Sequence, residues 1–232
     1  MIVVHHLEDS RSQRILWLLE ELGQPYEVRR YARDAETRLA PPDLLAVHPL
    51  GKSPVITDDG RVVAETGAIV EYLVDRYGNG RLKPAQGTDE QLAYTYWLHF
   101  AEGSAMPPAT MKLVFDMLPT RVPFFIRPIA AMLGKAVDAQ YLAPTIARQM
   151  AYIEVTLGRA PWFAGPEFSA ADVMMSFPLE ATAARGGLQG RPNIAAWLET
   201  IHARPAFRAA LERGGPYAYV ASREGAGRGG SR

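Results

Sequence analysis

A short β-branched run, Ile2-Val3-Val4, is followed by Ile15, Leu18, Leu19 and Leu22 at helical spacing. Past a Gly23-Gln24-Pro25 turn comes a second strand candidate, Tyr26-Glu27-Val28. Strand, helix and strand in that order form a β-α-β unit, so the two strands must lie parallel, joined by a right-handed crossover. The next pair is built differently. Val55-Ile56-Thr57 and Arg61-Val62-Val63-Ala64 flank Asp58-Asp59-Gly60, which predicts a hairpin with a tight Asp-Gly turn. A helix begins near Glu65, carries Ile69, Val70, Leu73 and Val74 on its buried side, and stops around Gly78-Asn79-Gly80.

Beyond that point the periodicity is helical. Residues 80–88 are polar, with glycine and proline, and read as a linker between residues 1–79 and a second domain over 89–215. Helices are predicted over Gln91 to Phe100, Pro144 to Leu157 and Ala170 to Ala184, with one more around Trp197, Leu198 and Ile201. Three prolines between Leu118 and Pro128 predict a broken or kinked helix there. Residues 216–232, glycine- and arginine-rich from Ser222 on, are expected to form a tail without fixed structure. With 232 residues and 48% hydrophobic content the chain can bury a sizeable core in each domain. Its 25 basic and 25 acidic residues balance, leaving no field to hold nucleic acid or an anionic membrane. There is no cysteine, so disulfides and thiolate zinc sites are excluded. No window reaches the roughly 18 uninterrupted apolar residues of a membrane span, and a cytoplasmic location is the expectation.

Three phrases carry chemistry. Asp9-Ser10-Arg11-Ser12-Gln13-Arg14 opens a helix, His48-Pro49-Leu50-Gly51-Lys52-Ser53-Pro54 leads into a strand, and Ala64-Glu65-Thr66-Gly67 starts another helix. A fourth, Phe168-Ser169-Ala170-Ala171-Asp172-Val173, has the form of a capping box. In this order the phrases resemble the glutathione S-transferase family, most closely its serine-type, theta-like or related members of bacteria and fungi, over nearly the whole chain. The resemblance implies an α/β plus all-α architecture: a thioredoxin-like N-terminal domain that binds glutathione, then a C-terminal helical-bundle domain with a hydrophobic-substrate site. It also implies a homodimer, glutathione as co-substrate and no metal. The lack of cysteine excludes those classes whose catalytic residue is a cysteine.

Residue by residue, the resemblance makes Ser10 the catalytic hydroxyl, four positions before Arg14. Pro54 is implied to be cis, with the peptide groups of Ser53 pairing with the cysteinyl part of glutathione. Lys52 is implied to meet the glycyl carboxylate, while Glu65 and Thr66 hold the γ-glutamyl ammonium and α-carboxylate. The carboxylate-to-ammonium pairing and the hydroxyl beside free helix-start amides suit those two charges. A thiol with a pKa of about 8.5 needs a shift of roughly two units, about 2.7 kcal/mol, to be mostly anionic at neutral pH. A hydrogen bond to charged sulfur supplies about 1.5–3 kcal/mol and a helix start about 0.3–1. Ser10 is also a favoured helix-capping type, and Ser12 in the same turn is a rival donor.

The remaining conspicuous residues read as structural. His5 and His6 point to opposite faces of a strand and no partner spacing completes a metal site. Tyr94, Tyr96, Trp97 and Phe100 read as core or domain-interface packing, His48 as a loop residue, and Met106, Met111 and Met117 as core, near where the family places its second-substrate site. The sequence thus points to a transferase acting on a small hydrophobic electrophile or peroxide, or else to a glutathione-binding or regulatory protein of the same fold.

Overall fold

The computed structural model describes residues 1–34, 36–37 and 39–220. Strand β1 (Ile2–Leu7), helix α1 (Gln13–Leu22) and strand β2 (Tyr26–Tyr31) form the β-α-β unit, with β1 and β2 parallel and Val4 opposite Val28. After a short helix α2 (Pro42–Val47), the hairpin β3 (Val55–Asp58) and β4 (Arg61–Ala64) adds to the other edge of β1, giving the order β2-β1-β3-β4. The hairpin turn is Asp59-Gly60, both at positive φ (47° and 82°), as a primed turn requires. Helix α3 (Thr66–Tyr77) buries Ile69, Val70, Leu73 and Val74 beside α1, whose Ile15, Leu18, Leu19 and Leu22 are also buried. This is the thioredoxin-like half.

The second half is helical: α4 (Asp89–Phe100), α5 (Met106–Arg121), α6 (Arg127–Val137), α7 (Ala143–Leu157), α8 (Ala170–Ala183), α9 (Pro192–Ala203) and α10 (Pro205–Gly214). Five-residue π-helical turns, Ala101–Ala105 and Asp138–Leu142, join α4 to α5 and α6 to α7. The expected break occurs at Val122–Ile126, one turn after α5 has passed Pro119. Helix α8 is its hub, buried from Ala170 to Ala181. Ser169 and Asp172 form the capping box at its start.

Two elements were not legible. Helix α2 is one and a half turns long, too short for a periodic signal. Helix α10 packs on α1 and β2, with Phe207 and Ala210 buried; its signals were Pro205 at the first position and Gly214-Gly215 at the end. Residues 216–220, assigned to an unstructured tail, are instead packed. Tyr217 is buried and donates to Glu180 at 2.6 Å, and the Ala218 amide donates to Asp9 at 3.1 Å. Residues 221–232 lie outside the described part. The three methionines are not core: Met106 is half-buried, and Met111 and Met117 are exposed. Tyr94, Trp97 and Phe100 are buried, whereas Tyr96 is largely exposed.

Candidate functional site

The loop from β1 into α1, the turn before β3, and the start of α3 all lie at one end of the sheet. There Lys52, Ser53, Pro54, Glu65 and Thr66 line a single cleft, joined by His48 and Arg11. The Ser53–Pro54 peptide is cis. Among the described residues, the exposed Lys52 ammonium has no ion pair and the exposed Glu65 carboxylate no hydrogen bond. Glu65 sits at φ 70°, ψ 127°, a backbone region that costs a non-glycine residue about 1–3 kcal/mol. No side chain caps α3, so its first amides face the cleft end beside the buried Thr66. His48 accepts from the Leu50 amide at 3.4 Å and so shapes the loop, as expected of it.

Ser10 stands one layer behind this wall. It is 6% exposed, and its Oγ lies 3.4 Å from Ser53 Oγ. Ser53 donates to the His5 carbonyl at 2.9 Å and accepts from the Leu7 amide at 3.3 Å, so it is pinned to the end of β1. Ser10 Oγ lies 2.7 Å from the fully buried Ser12 Oγ, which in turn lies 2.8 Å from His6 Nδ1. Burial, helped by the Arg30 guanidinium, pushes the His6 imidazole down to about 4, although the Gly214 carbonyl favours its proton. At neutral pH the ring is therefore uncharged. With its proton toward Gly214, Nδ1 is the acceptor and Ser12 donates to His6; the Ser10 hydroxyl, which can also donate to Ser53 at 3.4 Å, then gives its proton to Ser12 as the nearer oxygen at 2.7 Å. Neither serine side chain caps α1 in the expected way: Ser12 is the cap residue but its hydroxyl makes no capping bond to the helix amides, and the backbone donor to Ser10 Oγ is the Ser12 amide at 3.3 Å.

A second network crosses the domains. Arg14 is 1% exposed and donates to the Met174 carbonyl at 2.6 Å, to Thr66 Oγ1 at 3.4 Å and to Glu102 Oε1. Arg11 holds the other Glu102 oxygen at 2.5 Å. Burial resists ionisation of Glu102, but the Arg14 and Arg11 guanidiniums outweigh it and hold the carboxyl below its ordinary value. Arg11 also lines a cleft of about 410 Å³ with Met106, Pro107, Thr110, Met111, Val114 and Phe115 of α5. Sequence reasoning missed Arg11 and Glu102, which stand 91 residues apart. A larger cavity, about 690 Å³, lies elsewhere, lined by Arg81, Lys83, Phe168 and Arg204, and contains none of the expected site residues. Its Arg204 is already committed to Glu21 at 2.5 and 2.8 Å. The chemistry of the side chains, not volume, selects the smaller clefts.

The neutral His6 has a measurable consequence. Its unfolded value is near 6.5 and its folded value about 4, so its contribution is fully present above pH 6.5 and is lost as the pH falls toward 4. The expected loss is up to about 3 kcal/mol. Asp172, held up at about 6 by burial, acts oppositely over part of that range. The readout is therefore the difference in urea stability between wild type and His6→Gln from pH 7 to 4.5, and parallel curves would refute the assignment.

Among the described residues no helix is long and apolar enough to cross a membrane, and no group of three or more His, Cys, Asp or Glu side chains could hold a metal ion. The family model described as "Glutathione S-transferase, N-terminal domain" matches residues 1–75, and "Glutathione S-transferase, C-terminal domain" matches residues 111–205. The chain is 40% identical to Glutathione S-transferase 3 of Schizosaccharomyces pombe, over 92% of this chain and 88% of that protein. It is 30% identical to Glutathione S-transferase 1 of Saccharomyces cerevisiae, over 92% and 95%. A crystal structure of a glutathione S-transferase from Actinobacillus pleuropneumoniae superposes with a TM-score of 0.77 at 33% identity, covering 94% of each chain.

Proposed function

The chain belongs to the glutathione S-transferase family and is a glutathione transferase, and from that premise we propose that it activates the glutathione thiol through Ser10. The observation that carries this reading is the convergence of Lys52, Ser53, Glu65 and Thr66 on one cleft, with Ser10 directly behind Ser53. In it, Glu65 meets the γ-glutamyl ammonium, and the Thr66 hydroxyl and α3 amides meet the α-carboxylate. The Ser53 peptide pairs with the cysteinyl part and Lys52 meets the glycyl carboxylate. The strained backbone of Glu65 supports a ligand-facing role, since glycine would serve the fold better there. The electrophile or peroxide occupies the apolar cleft along α5. In conjugation the sulfur–carbon bond forms, the leaving group departs with its electron pair, and the thiol proton passes to solvent.

The serine chain changes the energetics. Ser10 already donates to Ser12, so activation exchanges a neutral hydrogen bond of about 0.5–1.5 kcal/mol for a charged one of about 1.5–3. The net is about 1 kcal/mol, or somewhat under one pKa unit. Ser10 retains some exposure and Ser12 none, which supports Ser10 as the donor. Ser10→Ala is expected to raise the pKa of bound glutathione by somewhat under one unit and cut neutral-pH turnover about fivefold, with little change in glutathione affinity. Ser12→Ala frees the Ser10 proton for sulfur and should move the titration the other way. Thiolate absorbance against pH reads both, and an upward shift confined to the Ser12 variant would reverse the assignment.

We further infer a cytoplasmic, two-fold homodimer, with the first domain of one subunit against the helical domain of the other. Tyr94, Trp97 and Phe100 are spent inside the subunit, so the support comes instead from exposed apolar side chains in both halves: Leu50 and Val62, and Leu92, Ile129 and Met132. Sedimentation equilibrium at micromolar concentration should give twice 25.5 kDa, whereas a fully active 25.5 kDa species would exclude an obligate pair.

A further inference from the structure

Arg11 is the residue common to both clefts: it lines the wall beside Ser53 and Glu65 and the wall beside Met106 and Phe115. Its cluster is not neutral. Glu102 gives one oxygen to Arg14 and the other to Arg11, so two guanidiniums share one carboxylate. Arg14 is enclosed between the Met174 carbonyl and Thr66, and the surplus positive charge therefore emerges at Arg11, which is 37% exposed. Nothing else lining the α5 cleft is basic: besides Glu102 itself, its wall is Met106, Pro107, Thr110, Met111, Val114 and Phe115. The nearby Lys112 faces Asp116 and Asp138 instead. A guanidinium carries five N–H groups in a planar fork, and Glu102 is its one side-chain partner among the described residues.

Resting on the transferase reading above, we propose that Arg11 makes the α5 cleft selective for apolar electrophiles bearing a carboxylate or a similar oxyanion, which it binds opposite the apolar wall. A cleft of about 410 Å³ takes one substituted aromatic ring, with the anionic group toward Arg11 and the electrophilic carbon toward the sulfur side. Glu102 does not repel such a ligand because its charge is already neutralised from beneath by Arg14. Arg11 is a specificity residue in this scheme, separate from thiol activation.

The test compares a chlorodinitrobenzoate with its methyl ester as second substrates. In each, glutathione sulfur bonds to the ring carbon and chloride leaves with the carbon–chlorine electron pair. Arg11→Gln is expected to lower kcat/KM for the carboxylate about 10- to 100-fold, mostly through KM, and for the ester less than about threefold. Arg11→Lys should recover part of the loss. Equal losses for both substrates, or a shift in the bound-thiol titration of Arg11→Gln, would show that the cation serves sulfur or the fold and would overturn the proposal. Failure of the transferase reading looks different: glutathione would not bind and neither substrate would turn over. In that event, calorimetry of the chlorodinitrobenzoate on wild type and Arg11→Gln still decides the role of Arg11, because binding that the substitution leaves unchanged refutes it.

Discussion

Replacing Arg14 with methionine is expected to lower unfolding free energy by about 3–5 kcal/mol, the usual cost of removing one partner from a buried ion pair. The side chain runs from α1 into the second domain, where it meets the Met174 carbonyl of α8 and Glu102 of the first π turn. Methionine fills much of the volume but leaves that carbonyl unpaired and returns Glu102 to Arg11 alone. It also frees Thr66 Oγ1, so glutathione affinity should fall alongside stability. The diagnostic variant is the double substitution Arg14→Met with Glu102→Leu. Removing both charges should restore part of the loss, since no buried carboxylate is then left short of a partner. Urea unfolding of the four proteins gives the cycle. Simple additivity of the two single losses, or a loss under about 1 kcal/mol for Arg14→Met, would mean that the pair does not join the domains energetically.

Asp172→Ala should cost a similar amount, about 3–5 kcal/mol, for a different reason. One carboxylate accepts from the Phe163 amide at 3.0 Å, the Ser169 amide at 3.0 Å, the Ser169 hydroxyl at 3.2 Å and the Trp197 indole at 3.2 Å. Alanine removes the capping box at the start of α8 and strands two further buried donors from different segments. Asp172→Asn keeps an acceptor oxygen and should retain about half the loss. Indole fluorescence of Trp197 during urea unfolding would report both; an asparagine variant as unstable as the alanine one would argue against donor satisfaction as the cause.

These two residues show where sequence reading reached and where it stopped. Asp172 was legible because a capping box is local: its acceptor and its first donors are three residues apart. Its contacts to Phe163 and Trp197 were not, since they depend on how the loop after α7 folds back and on how α8 meets α9. Arg14 was legible only as a family landmark, because Glu102 and Met174 lie 88 and 160 residues away. His6 gave a misleading signal. Beside His5 it suggested only a metal to be dismissed, whereas the fold uses it to fix the direction of the serine hydrogen bonds.

The sequence by itself determined the parallel pair, the hairpin with its Asp59-Gly60 turn, the core face of α3 and the start of α8, because each is fixed by periodicity, turn chemistry or capping within a few residues. It also supplied Lys52, Ser53, Glu65 and Thr66 as the expected set, which the fold brings to one cleft. Only the tertiary structure decided that Ser10 lies behind Ser53 and beside the buried Ser12, that Arg11 stands between two clefts, and that Ala218 returns to Asp9 at the first domain's edge. Those features depend on burial, and on contacts between elements distant in the chain. Burial sets the charge of His6, and the closure of α10 and the π turn onto α1 sets which groups face one another.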